Sequence, residues 1–350
     1  MKSRIGWIVS VMLAITVFLA ACSEKESNSA NSAKNTNTNT AQSSQTPQQA
    51  DKVTVNIGLQ QSLDPMRVTK EKRFFEEEFA KLGAKVNWLE FQSGALYFEA
   101  MAAKRLDLGL AASAPVVVGQ AANIDFKIIA LTTDGLNDSS LLVSKNSSIK
   151  SLQDLKGKKV AVARGSSAWY FLYKVLDAAS LKPSDLEIVY LEPNEAQPAF
   201  DGGSVDAWAI WDPLLTSEIQ QKEARVLIDN KQVNAISPIF ALARSEFAEK
   251  HPELVVAFLQ TYEKGRKWYY DHHDEAADIL ATFKKMEKPF VSEVMNHINR
   301  INQPVDAKYI QAHQTIADFL FEHQVIKQKV DVSKIVDNSY FEKSGIGSGK

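Results

Sequence analysis

Three residues whose types suit the seating of an anion, Gly165-Ser166-Ser167, lie between a β-branched run and an apolar helical run. Val160-Ala161-Val162-Ala163, entered through the charged turn Lys156-Gly157-Lys158-Lys159, predicts a buried parallel strand. The 3.6-residue apolar period from Trp169 to Ala179 predicts a helix. Glycine lets the chain turn sharply at the end of the strand, and Ser166 or Ser167 can cap the helix with its hydroxyl. Free N–H groups and the partial positive charge of such a helix start favour an anion. A strand-to-helix turn with a good cap and no ligand has the same sequence, so the motif by itself leaves both readings open. Neither G-x-x-x-x-G-K-[ST] nor G-x-G-x-x-G surrounds it, which excludes the phosphate-binding glycine loops.

The other chemistry-bearing residues argue against catalysis and against a metal or other cofactor. His251, His272, His273, His297, His313 and His323 form no H-x-x-x-H or H-E-x-x-H pattern, and His272-His273 sits in a charged helical region expected at the surface. No Gly-x-Ser-x-Gly elbow provides a nucleophile. Asp206 and Asp212 could pair as acid and base, yet they flank a predicted buried strand, and Asp212-Pro213 has turn chemistry. Trp208 and Trp211 stand an odd three residues apart on that strand and so point to opposite faces, one to the core and the other to a cleft.

The elements that position these residues alternate. Val53 to Leu59 predicts a strand, Glu71 to Leu82 an amphipathic helix, and Val86 to Phe91 a strand leading through Gln92-Ser93-Gly94 into the helix Ala95 to Lys104. Leu106 to Ala111 predicts a third strand, followed by Ser113-Ala114-Pro115 and the helix Val116 to Ala122. This order implies a doubly wound, mostly parallel sheet, in which ligands bind beyond the carboxyl ends of the strands, where Gln60, Ser93 and Ser113 fall. After Phe126 to Leu131 the chain crosses to a second strand–helix set with strands at Ser140 to Val143, Val160 to Ala163, Ile188 to Leu191, Ala207 to Ile210 and Val226 to Ile228. Ile239 to Ala243 predicts one more strand, and the chain from Phe247 onward is mostly helical. We therefore expect two α/β lobes joined by two crossings, residues 51–138 plus 240–350 and residues 139–239, facing each other across a cleft, in preference to one large sheet.

Net charge is −2, from 40 Lys and Arg against 42 Asp and Glu, with the signs interspersed. Such a surface gives nucleic acid no basic stripe to bind. Lys2 and Arg4 precede an apolar run from Ile5 that ends in Leu19-Ala20-Ala21-Cys22 and turns polar at once, the pattern of a signal peptide over residues 1–21. Cys22 is the single cysteine, so it forms no internal disulfide, and its position suits lipid attachment. An uncleaved membrane helix is the alternative for this run. Ser23 to Ala50, nearly all Ser, Asn, Thr, Gln and Ala, has too little apolar surface to fold and predicts a tether behind Cys22.

Several stretches together resemble the sulfonate, taurine and nitrate group of solute-binding proteins for ABC importers. They are Asp154 to Val162 with Gly165-Ser166-Ser167, Tyr190-Leu191-Glu192-Pro193-Asn194-Glu195-Ala196, Asp206-Ala207-Trp208-Ala209-Ile210-Trp211-Asp212-Pro213, and Gln92-Ser93-Gly94 with Glu99-Ala100 and Asp107-Leu108-Gly109. Phe247-Ala248-Glu249-Lys250-His251-Pro252 fits as well, and Leu19-Ala20-Ala21-Cys22 is similar to the lipobox of bacterial lipoproteins. The likeness runs from about Val53 to the C-terminal region. It implies the two-lobed periplasmic-binding-protein type II fold, a monomer lipid-anchored on the extracytoplasmic face of the cell membrane, and no catalysis. A small organic anion, most simply an aliphatic sulfonate, would be captured in the cleft and handed to a membrane permease. Carried over by position, the family's ligand loops imply Gln60, Ser93, Gly94, Ser113, Gly165, Ser166, Ser167, Trp169, Asn194, Trp211 and Asp212 around the cleft. Hydroxyls and helix-start N–H groups would then share the charge without an Arg or Lys, Arg164 being as well placed for solvent, and Trp169 or Trp211 would cover the organic part. The chain departs from the family at Ala112-Ser113-Ala114-Pro115-Val116 and at Gln60-Gln61. Both changes touch the first lobe's pocket, which keeps taurine, nitrate and a thiamine-precursor pyrimidine in play beside other sulfonates; an enzyme reusing the fold is the rival outside the binding proteins.

Overall fold

Alternation of buried and half-exposed residues along β1 (Val53–Gln60) sets the first sheet, with Val55, Ile57 and Leu59 facing inward. The computed structural model describes residues 53–136 and 139–347; Cys22, the leader and the tether lie outside the described residues. Helices α1 (Pro65–Glu71) and α2 (Phe74–Lys81) lead to β2 (Ala84–Phe91), α3 (Gly94–Ala102) to β3 (Leu108–Ala112), and α4 (Ser113–Ala121) to β4 (Phe126–Thr133). The helix expected at Glu71 to Leu82 is α2, which starts at Phe74, and a second helix, α1, precedes it where none was expected. Arg73 adopts a left-handed φ of 59° and breaks the chain there, which turns Phe75 and Phe79 into the core. Asp64-Pro65, an N-cap followed by proline at the first helical position, was the signal for α1.

From β4 the chain crosses to β5 (Ser139–Val143), whose residues are all buried, and continues through β6 (Lys159–Val162), α5 (Ser167–Ala178), β7 (Glu187–Tyr190), α6 (Pro193–Asp201), β8 (Ala207–Trp211), α7 (Leu214–Lys222) and β9 (Arg225–Asp229). It returns as β10 (Ile239–Arg244). Then follow α8 (Ser245–Lys250), α9 (Pro252–Asp271), α10 (His273–Lys284), α11 (Lys288–His297), β11 (Arg300–Gln303), α12 (Ala307–Glu322) and α13 (Ser339–Ser344).

The spatial order is β2-β1-β3-β10-β4-β11 in one sheet and β7-β6-β8-β5-β9 in the other. In each, the second, first and third strands run parallel, and an antiparallel strand that has just crossed from the other sheet, β10 or β5, packs beside the third. The expected parallel sets are present, and the crossing strands make both sheets mixed. The helical tail covers the first sheet: Val255, Phe258 and Tyr262 of α9 pack with Phe75, Phe79 and Ile57. Helix α12 also joins α4 and α5, since Ile316 and Leu320 share one apolar cluster with Val117, Tyr170 and Leu172.

Candidate functional site

The loop ends of the two sheets meet at a polar and apolar cavity. Its walls are Gln60 at the end of β1, Gly94 at the start of α3, Leu110 to Ala112 with Pro115, the crossing Thr133 to Leu136, Ser166 and Ser167 at the start of α5, Trp211-Asp212 after β8, Ser237, Ile298 and Arg300. Six of the residues singled out from sequence therefore share one cavity: Gln60, Gly94, Ser166, Ser167, Trp211 and Asp212.

Their polar atoms are partly spoken for. Gln60 donates Nε2–H to the carbonyl of Leu110 at 3.1 Å, which aims its amide along the cavity wall. Gly94 is required by contact, because a Cβ there would lie 2.6 Å from the ring of Pro115. Ser166 is the N-cap of α5: its Oγ accepts the N–H of Trp169 at 3.2 Å and donates to the carbonyl of Ala163 at 2.7 Å. Its own proton is thus taken, and the hydroxyl contribution of the pair falls to Ser167. Asp212 accepts the Thr216 N–H at 3.1 Å and the Thr216 hydroxyl in the first turn of α7. Burial raises its carboxyl above the ordinary aspartate range, against the lowering effect of those bonds.

The other five candidates stand behind the wall or at its rim. Ser93 is the N-cap position of α3 but makes no capping bond; its buried hydroxyl lies by the Glu192 carboxyl, whose pKa burial raises and Ser93 helps to lower. The Oγ of Ser113 is held by Nδ1 of His313 on α12. Burial lowers the pKa of that imidazole to about 3, so it is neutral. Gly165 supplies the φ of +73° that the turn before α5 needs. Trp169 lies edge-on to Tyr173 and Tyr190, with its buried Nε1 beside the Tyr173 hydroxyl. Asn194 is exposed, and its N–H donates to Oε1 of Gln92 at 3.3 Å, tying the start of α6 to the loop after β2.

Arg164 is exposed and stacks over the ring of Tyr190 at 3.9 Å. Asp206 accepts the N–H of Lys159 at the opposite end of β8 from Asp212, so the two carboxylates form no catalytic pair. Among the described residues no group of three or more His, Cys, Asp or Glu is placed to hold a metal ion.

Sequence reasoning missed Ser62, Asp64, Thr133, Asp134, Ser237 and Arg300, all on the lining. Asp64 caps α1 through the N–H of Arg67 at 3.2 Å, a role its place before Pro65 could have revealed. Arg300 opens a four-residue strand inside a tail that reads as helix, and nothing in the local sequence marks it.

The arrangement offers helix-start N–H groups and a guanidinium to a charged head, with Met66, Leu110, Pro115, Trp211, Ile239 and Ile298 for an apolar remainder. Two α/β sheets built on the same strand order, with such a cavity at their loop ends, define a cleft-type binding protein of the periplasmic-binding-protein fold. The chain belongs to the NMT1/THI5-like family, which matches residues 61–276. It is 42% identical over 290 residues, 83% of this chain and 87% of the relative, to a protein of Bacillus subtilis (strain 168) named for binding aliphatic sulfonates. It is 31% identical over 229 residues, 65% of this chain and 69% of the relative, to the taurine-binding periplasmic protein of Escherichia coli (strain K12). Among solved structures it is similar to the alkanesulfonate-binding protein SsuA from Xanthomonas axonopodis pv. citri bound to MOPS, with a TM-score of 0.77, 28% identity and coverage of 81% of this chain and 98% of that one. The periplasmic aliphatic sulphonate-binding protein SsuA from Escherichia coli gives a TM-score of 0.71 at 30% identity, over 81% and 92% of the two chains.

Proposed function

We propose that this protein captures a short aliphatic sulfonate outside the cytoplasm and delivers it to an ABC importer. The observation that carries the reading is the cavity itself, which joins the starts of α3 and α5 to an apolar wall between two sheets. A sulfonate is a permanent monoanion with weakly accepting oxygens, so it favours many donors, and its alkyl part favours Trp211 and its apolar neighbours. The cavity measures about 80 Å³. A water takes roughly 10–15 Å³ of such volume, so the space suits a head group with a few carbon atoms.

Thermal unfolding with methanesulfonate, ethanesulfonate, butanesulfonate, taurine, MOPS, nitrate and an aminopyrimidine tests the reading. The true ligand at one hundred times its Kd stabilises the protein by about 2.7 kcal/mol. A response to nitrate or the pyrimidine with none to any sulfonate would replace the sulfonate assignment.

Attachment through Cys22 belongs to the same proposal. It is supported by the small residues before Cys22 and the polar run after it. Cys22→Ser should release the protein from membranes while its melting temperature stays unchanged, because the cysteine precedes the folded residues by a long polar stretch. Fractionation that leaves the variant in the membrane, with its leader intact, would favour an uncleaved helix.

A further inference from the structure

The arginines withdrawn from solvent differ in what neutralises them. Arg67, 2% exposed, meets Glu90 at 3.0 Å; Arg244 meets Asp107 at 2.6 Å; Arg266 meets Glu263 at 2.7 Å. Half-buried Arg225 spends its N–H groups on the carbonyls of Lys145, Ser147 and Ile149. Arg300 is 4% exposed, lines the cavity and has no carboxylate within ion-pair distance among the described residues, although its charge is felt at Asp212 from further off. Its Nη2 donates to the carbonyl of Leu63 at 3.2 Å, and its Nε has no acceptor.

A guanidinium stays ionised at neutral pH, and burying it without a counter-charge is strongly unfavourable. The carboxylates on the cavity wall are turned to other donors. Asp64 accepts from the N–H of Arg67 and the hydroxyl of Ser62, and Asp134 accepts from the N–H of Leu136 and from Asn299. Asp212 accepts from Thr216. The backbone of Arg300 is fixed from both sides: its N–H donates to the Tyr270 hydroxyl at 2.9 Å, and its carbonyl accepts from Nη1 of Arg266 at 3.3 Å.

We propose that Arg300 is the charge clamp of the cleft, and that it selects a monovalent oxyanion over a divalent one. The guanidinium supplies the counter-charge for one negative head, and the starts of α3 and α5 complete the donor set. A second negative charge would meet Asp64, Asp134 and Asp212 with no further cation on the lining. This assignment rests on the anion-binding reading of the cleft and adds the residue that carries the charge, where sequence alone favoured neutral donors.

The test is titration calorimetry on the full chain and on Arg300→Met and Arg300→Lys, using ethanesulfonate, taurine, nitrate and inorganic sulfate at matched ionic strength. The wild type should bind at least one monoanion and should bind sulfate more weakly. Removing one partner of a buried charge pair predicts roughly a 30-fold or larger loss for Arg300→Met. Its ligand-free melting temperature should fall by no more than a few degrees, because the guanidinium gives up hydrogen bonds to the Leu63 carbonyl and Tyr269 but no carboxylate at ion-pair distance. Wild-type affinity in Arg300→Met overturns the clamp, as does a wild type that binds no anion or prefers sulfate. If nitrate binds, sulfonates do not, and Arg300→Met loses nitrate, the sulfonate reading falls and the clamp stands. Should Arg300→Met not fold, Arg300→Lys decides: it keeps the charge but loses the planar fork, so it should bind roughly tenfold more weakly, and undiminished affinity overturns the proposal.

Discussion

Gly135→Ala should lower the unfolding temperature by roughly 5 °C or more and abolish the response to ligand. Gly135 sits on the first crossing between the sheets at φ +73°, and a Cβ there would lie 2.2 Å from the carbonyl carbon of Ser237 and 2.3 Å from the nitrogen of Pro238 on the second crossing. Those atoms are backbone, so relief requires one crossing to move. The Gly135 carbonyl also accepts the N–H of Ser237 at 3.1 Å, and both residues line the cavity. Overpacking of about 1–3 kcal/mol adds to roughly 1–2 kcal/mol for a left-handed Ala. At about 2–4 °C per kcal/mol for a chain of this size, the sum gives the stated shift. Gly157→Ala isolates the backbone part, since Gly157 has φ +74° and nothing within 4 Å of its would-be Cβ. It should lose only about 1 kcal/mol. Equal melting temperatures for the two variants would mean that the crossings are not in tight contact.

Trp208→Ala and Trp211→Ala should fail in different ways, although the residues are three apart on one strand. Trp208 is 1% exposed in a cluster with Leu142, Ala161, Ala196 and Phe200, whose ring lies 6.0 Å away. Its removal opens a core cavity and should destabilise the fold by about 3–5 kcal/mol. Trp211 is half-buried and lines the cavity between the sheets. Its removal should cost no more than about 2 kcal/mol of stability and roughly tenfold or more in affinity for whichever sulfonate binds, through loss of the aromatic cover. Chemical denaturation and calorimetry on both proteins separate the outcomes. A Trp211→Ala protein with normal affinity would remove that ring from the site.

Local chemistry determined a good deal here. The period-two and period-3.6 patterns located most strands and helices up to β10, because burying an apolar face needs that spacing whatever lies opposite. The odd separation of Trp208 and Trp211 fixed their opposite faces, and Gly165-Ser166-Ser167 marked the turn and a serine cap before α5, since both depend only on neighbouring backbone; which serine caps came from the structure. Which side chains reach a ligand is another matter, because each donor goes to whichever partner the fold brings nearest. The hydroxyl of Ser113 is taken by His313, 200 residues away, and the strand that carries Arg300 gains its register only by pairing with β4. That Arg300 has no carboxylate at ion-pair distance, while Arg67 has Glu90 and Arg244 has Asp107, is a fact of packing between distant elements. The sequence by itself set the order of elements, the turn at Gly165 and the faces of the two tryptophans; the tertiary structure alone decided which polar groups were left without a partner, since long-range contacts assign the partners.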